Sequence, residues 1–220
     1  MIRRITLAVV FLLIAVPLAA QAPEGWQLRV DRSTNSADPD DVPEVEFTTV
    51  GSGFQINTGP AVVAWNPENT VEGSFTLDGR FTLIAPSDHV NYYGLVYGGR
   101  NLEGPEQNYI YFLVAQDGSF IIKHRAGDGV THDISPRGPH DAVVQPDASG
   151  RSVNQLQVRV GENETEFVVN GTVVYTLGSI IQARLNMPEL SGMRSTPDGI
   201  WGVRVNHRIP GVLVESLRVR

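Results

Sequence analysis

The 220-residue sequence contains no cysteine, a single lysine and very little helical patterning. Without cysteine there is no disulfide framework, no thiolate nucleophile and no lipidated residue at an export boundary, so a bacterial lipoprotein anchor is excluded. Core packing alone has to hold the fold, which a chain of about 200 residues can supply. Lys123 is the only lysine, and we read that usage as codon preference before chemistry. Helical character is confined to residues 177–190, bounded by Gly178, Pro188 and Gly192. Positive charge is also short: 17 Lys and Arg stand against 24 Asp and Glu, a formal net charge of −7. Nucleic acid and anionic membrane both demand a basic surface, so neither is expected as a partner.

Arg3 and Arg4 precede an uncharged apolar run over residues 5–16, and Pro17-Leu18-Ala19-Ala20 offers the small residues a signal peptidase needs. This is the layout of a secretory signal, too short to span a membrane comfortably. The expected organisation is a signal peptide over 1–20, cut near Ala20, and one β-sandwich domain over 23–220. The expected location is a bacterial periplasm or the medium, with no membrane insertion after cleavage. Losing Arg3 and Arg4 takes the formal charge from −7 to −9. Asn163-Glu164-Thr165 and Asn170-Gly171-Thr172 match the glycosylation acceptor pattern, but in a bacterial product they read as polar turns.

Beyond the leader, the signal is alternation broken by turn residues at intervals of about 8–12 residues, which favours an antiparallel sandwich or barrel over a βαβ fold. Strands are predicted over 25–31, 44–50, 54–58, 61–65, 74–84, 92–97, 108–115, 119–125, 153–160, 165–169, 172–177, 200–206 and 212–219. Asn66-Pro67 is expected to open a turn, and Asp78-Gly79 to mark a bulge within its strand. Asp117-Gly118 and Asn170-Gly171 are hairpin signals, because these residues tolerate the positive φ of a tight turn. Residues 34–42 and 135–150 are the plausible loop excursions.

The run Asn108-Tyr-Ile-Tyr-Phe-Leu-Val-Ala-Gln-Asp-Gly-Ser-Phe-Ile-Ile through Arg125 resembles the central hairpin of concanavalin A-like lectin/glucanase domains. Gln155-Leu-Gln-Val-Arg-Val followed by Glu166-Phe-Val-Val-Asn-Gly-Thr-Val-Val resembles their later hairpin, and Gly199-Ile-Trp-Gly-Val-Arg-Val-Asn-His with residues 212–219 their closing strands. Within that group the chain is similar to exported bacterial 3-keto-disaccharide hydrolase-like or glycosidase-16-like domains. The resemblance covers roughly residues 70–220. It implies a two-sheet antiparallel jelly-roll and sugar handling on a concave face, and it carries over no catalytic residue.

Chemistry-bearing patterns are sparse. A retaining glucanase needs two carboxylates about 5 Å apart on one strand face. Glu162, Glu164 and Glu166 alternate, but the first two fall in a turn; Glu44 and Glu46 lack a third partner. No nucleophile elbow is present. Asp38, Asp40 and Asp41, with Asp31 nearby, form an acidic loop that reads as a solvated turn or as a structural Ca²⁺ site; no other cofactor is expected. His124, His132, His140 and His207 are scattered and do not suggest converging metal ligands.

Aromatic residues carry more. Tyr93 and Tyr97 share one strand face, as do Tyr109 and Tyr111. Rings stack on sugar C–H faces, while planar polar groups bond the hydroxyls. The candidate ligand-binding residues are therefore Tyr93, Tyr97, Arg100, Tyr109, Tyr111, His124, Arg204 and His207, with Trp65 and Trp201 expected in the core. The expected function is a non-catalytic module binding a saccharide or envelope glycan. Two alternatives stand beside it: a sugar-cleaving hydrolase built on groups such as His124, Asp133 and Glu103, and a structural or adhesion protein.

Overall fold

The structure is a computed structural model that describes residues 22–35, 37–185 and 195–220. The expected signal peptide lies outside the described residues, as does the end of the expected helical stretch. Among the described residues no helix is long and apolar enough to cross a membrane.

Among the described residues fifteen strands follow one another: β1 Gln27–Asp31, β2 Glu46–Val50, β3 Gly53–Asn57, β4 Ala61–Val71, β5 Phe75–Leu83, β6 Tyr92–Arg100, β7 Asn108–Ala115, β8 Ser119–Ala126, β9 Thr131–Asp133, β10 Gly138–Pro139, β11 Ser152–Val160, β12 Glu164–Val169, β13 Thr172–Gly178, β14 Gly199–Val205 and β15 Val212–Val219. Among the described residues the one α-helix, α1 Ser179–Leu185, follows β13, and a one-turn 3₁₀ helix, Pro39–Asp41, lies between β1 and β2. The strands form two antiparallel sheets. The first has the order β1-β4-β14-β6-β7-β8-β10, with β9 pairing β8; the second has the order β13-β12-β11-β5-β15-β3-β2. The fold is the expected all-β jelly-roll sandwich.

Alternation decides which side chains fill the space between the sheets. Val62, Ala64, Tyr93, Leu95, Tyr97, Ile110, Phe112 and Val114 from the first sheet meet Leu77, Phe81, Leu156, Val158, Phe167 and Val212 from the second. β11 shows the pattern cleanly, buried and half-buried residues alternating along its length. β7 departs from it, because all eight of its residues are buried. Its outward side chains are therefore covered as well, which matters for the site below.

The predicted tight turns close hairpins. Gly118 (φ 83) links β7 to β8, and Asn170 (φ 50) with Gly171 (φ 85) links β12 to β13. Two expectations shift by a few residues. Asn66-Pro67 does not end its strand: β4 runs on to Val71, and residues 66–69 lie where the ladder to β14 skips from Trp65 to Thr70. Pro67 needs no ladder hydrogen bond there. Asp78-Gly79 pairs regularly with β11, and the bulge falls opposite, in β15, at Ser216 (φ 53) and Leu217. At Gly79 an added Cβ would lie 2.8 Å from the Phe81 ring and 3.1 Å from Leu217, so glycine allows the core to close.

Candidate functional site

The outer faces of the two sheets differ in chemistry. That of the second sheet is solvated and polar, with ion pairs Arg159–Glu166 at 3.4 Å and Arg80–Glu215 at 3.5 Å. Exposed pairs of this kind contribute little. The first sheet's outer face instead carries a second apolar layer, with Val63, Trp65, Tyr92, Val96, Tyr109, Tyr111 and Leu113 all buried. The loop between β6 and β7 adds Leu102 to this layer. These side chains are already covered, so the groups this face can offer a ligand are the polar ones set among them.

Arg204 is the hub of that face. It lies on β14 between the core residues Val203 and Val205, so the strand period turns it outward. Its Nη1 donates to Asp31 Oδ2 at 2.9 Å and to the Tyr109 hydroxyl at 2.8 Å. Its Nε donates to Asn206 Oδ1 at 3.1 Å, and the guanidinium lies 5.5 Å from the centre of the Tyr111 ring. Among the described residues Nη2 makes no hydrogen bond, and the side chain is 11% exposed. Arg29, next along the face on β1, gives its Nε to Asp31 Oδ1 at 2.9 Å. It also reaches the carbonyl oxygens of Glu103 at 3.1 Å and Gly104 at 2.6 Å, and Asp128 at 2.6 Å. These bonds pin the loop after β6 over the start of β7.

The electrostatics follow from the geometry. Burial alone would raise the Asp31 pKa, but the charges and hydrogen bonds of Arg204 and Arg29 outweigh it and hold the carboxyl below its ordinary range. Burial works against the Arg204 charge too, and Tyr109, Asp31 and Tyr111 outweigh it, so Arg204 stays protonated. Burial pushes the Tyr109 hydroxyl up to about 12, which keeps it a neutral donor and acceptor.

The structure brings three of the predicted residues together: Tyr109, Tyr111 and Arg204. It separates the others from them. Tyr93 and Tyr97 point between the sheets, at 1% and 0% exposure, against Phe81 and Phe167 respectively. The ladder pairs Tyr97 with Ile110 and Tyr93 with Val114, so odd positions on β6 face with even positions on β7. His124 also faces inward, its Nε2 bonded to Asn108 Oδ1 at 2.8 Å and its ring stacked on His132. Arg100 turns to Thr196 at 2.6 Å. His207 sits in the loop after β14, beside His89 and Asp40. Trp65 is buried, but in the outer layer; Trp201 packs on the margin of the core. Of the hydrolase candidates, Asp133 pairs with Lys123 at 2.9 Å, the Glu103 backbone carbonyl accepts from Arg29, and the hydrogen-bond partner of His124 Nε2 is Asn108.

Sequence reasoning missed Arg29 and Asp128, and it assigned Asp31 to the acidic loop. One signal was available: Arg29 and Asp31 alternate on a short strand, which places opposite charges on one face.

No family model matches the sequence, and no curated protein matches it. Solved structures do. A Bacillus subtilis protein of unknown function with a galectin-like fold aligns with a TM-score of 0.58 at 11% identity, covering 89% of this chain and 88% of that one. The carbohydrate binding module CBM66 from Bacillus subtilis gives 0.54 at 8% identity, covering 89% and 95%. A β-1,3-glucanase from Mycobacterium marinum gives 0.51 at 11% identity, covering 92% and 94%. At these identities the likeness is one of fold, and its neighbours include both a carbohydrate-binding module and a glucanase. The chain shares with these structures an all-β jelly-roll sandwich fold.

Proposed function

We propose that this protein is a carbohydrate-binding module that holds a saccharide on the outer face of its first sheet, around Arg204. The observation that carries the reading is the Arg204 guanidinium, fixed by Asp31 and Tyr109 and laid over Tyr111, with its Nη2 unbonded among the described residues. A planar donor fixed before the ligand arrives loses little entropy on binding, and its fork suits paired hydroxyls or a sugar carboxylate. Asn206 and the Tyr111 ring edge supply the adjoining polar and apolar contacts. Exported bacterial proteins with this sandwich have ready access to envelope and environmental glycans, consistent with the leader expected over residues 1–20.

Binding without cleavage fits the carboxylates on this face. Asp31 is clamped in its ionised form by two guanidiniums, which unfits it as a general acid. Asp128 is engaged by Arg29 and Gln107, and Asp133 by Lys123.

The test is a panel of neutral and acidic oligosaccharides titrated into the wild type and Arg204→Gln. Wild-type binding that falls at least about tenfold in the variant, a loss of ~1.4 kcal/mol, supports the reading. Equal binding by both proteins moves the ligand elsewhere. Release of reducing ends during the titration replaces the module with a hydrolase.

A further inference from the structure

At the end of the first sheet where β14 leaves it, three loops bring Asp40, His89 and His207 together, and among the described residues this is a group whose ligand atoms all lie within 4.8 Å of one another. The Nε2 atoms of His89 and His207 are 3.2 Å apart, and His207 Nε2 is 3.3 Å from Asp40 Oδ2. We propose that Asp40, His89 and His207 form a binding site for a divalent transition-metal ion of the zinc class, a role independent of the saccharide reading.

Coordination geometry supports the assignment. Metal–ligand bonds of about 2.0–2.1 Å in a tetrahedral arrangement put neighbouring ligand atoms roughly 3.3 Å apart. The two short separations match that edge. Hydrogen bonding accounts for the cluster less well. A neutral imidazole nitrogen has one in-plane position, holding either a proton or a lone pair, so His207 Nε2 cannot serve His89 and Asp40 together. A cation between the three accepts a lone pair from each. Two imidazoles and one carboxylate suit zinc, nickel or copper, whereas calcium and magnesium prefer oxygen-only shells. Three protein ligands leave a position open to water or an incoming group.

The supports are rigid. The His207 loop is tied down by Thr58 Oγ1 donating to the Asn206 carbonyl at 2.7 Å, by Arg208 N to the Gly59 carbonyl at 2.8 Å and by Ile209 N to Thr58 Oγ1 at 3.0 Å. The His89 carbonyl accepts from Ser87 Oγ at 2.8 Å, and Ser87 is itself tied to Gln116. Asp40 sits in a one-turn 3₁₀ helix capped by Asp38. The second Asp40 oxygen faces Arg208 at 3.6 Å, an outer partner that orients the carboxylate, and the Arg208 charge is taken up by Asp88 at 2.6 Å. Asp40 and Asp88 together exceed Arg208 by one negative charge, a balance that attracts a cation.

The experiment is calorimetric titration of chelator-stripped protein with Zn²⁺ near neutral pH, with Co²⁺ absorption as a second readout. The proposal expects one saturable Zn²⁺ site per chain and visible Co²⁺ bands of a four- or five-coordinate ion. Removing outer-shell partners alone costs roughly 10–100-fold, so His89→Ala and His207→Ala should each weaken Zn²⁺ by at least about 100-fold. A double His132→Ala/His140→Ala variant should bind as the wild type does. Circular dichroism checks that the variants fold. Failure of the wild type to take up Zn²⁺ at millimolar concentration overturns the proposal, as does undiminished binding by the folded His89→Ala/His207→Ala protein. Saccharide binding by Arg204 is read separately, so either proposal can fall alone.

Discussion

Arg204 and Asp31 lie 173 positions apart in the chain and meet on the outer face of one sheet, Nη1 to Oδ2 at 2.9 Å. The contact exists because β1 and β14 flank β4 on either side, placing Asp31 opposite Ala61 and Arg204 opposite Val63. Arg29 holds the other Asp31 oxygen, so one carboxylate fastens two guanidiniums at the centre of the proposed binding face.

Asp31→Asn should therefore cost more than a surface substitution. It leaves two half-buried positive charges facing each other, and we expect a loss of about 2–3 kcal/mol in urea unfolding. A double-mutant cycle with Arg204→Gln should give a coupling of roughly 1–2 kcal/mol. A coupling indistinguishable from zero contradicts the account of this pair.

Tyr97 separates packing from binding. Its ring is fully buried in the core and its hydroxyl has no partner among the described residues. Tyr97→Phe removes an unsatisfied polar atom and should leave stability unchanged or raised. Tyr97→Ala should cost about 3–5 kcal/mol through the cavity it opens. Neither Tyr97→Phe nor a folded Tyr97→Ala protein should alter saccharide affinity, whereas Tyr111→Ala should weaken it.

The reason such a distinction escaped the sequence is physical. Periodicity shows which residues of a strand share a face, and it correctly paired Tyr93 with Tyr97 and Tyr109 with Tyr111. It does not show how one strand's parity aligns with its neighbour's; that is set by register, which the β6–β7 ladder fixes as Tyr97 opposite Ile110. The hairpins at Asp117-Gly118 and Asn170-Gly171 were legible because local turn chemistry determines them. The meeting of β1 with β14 was not, since it depends on strand order across the whole sheet. His89 was passed over for the same reason: its partners come from loops far away in the chain.

Stability should fall in mild acid through His124. Burial, then the neighbouring His132 charge, pushes its pKa down to about 4. The folded state thus prefers the neutral ring, and its contribution is present above the ordinary histidine pKa of about 6.5 and is lost as pH falls from there to about 4. The full shift corresponds to roughly 3 kcal/mol. Urea midpoints measured from pH 7 to pH 4.5 should decline, and His124→Gln should flatten the decline. A wild-type midpoint that stays constant across this window contradicts the assignment.

A more acidic loss should come from Asp78. Its carboxylate accepts from Arg220 Nε at 2.6 Å and Nη2 at 2.8 Å, and from Gln157. Burial would raise its pKa, but these hydrogen bonds and the Arg220 charge hold it low. Its contribution is complete above the ordinary carboxylate range and disappears as pH falls below about 3.8. Arg220→Ala should move the acid-unfolding midpoint upward, and an unmoved midpoint would remove this pair from the stability account.

The central claim, that the outer face of the first sheet is the binding surface, is tested most directly by nuclear magnetic resonance titration with a saccharide from the panel. The account predicts amide and side-chain shifts at Asn206, Arg204, Tyr111 and Lys123, with none at Gln157, Thr82 or Arg159 on the opposite outer face. Shifts confined to the second sheet, or spread evenly over both, would contradict it.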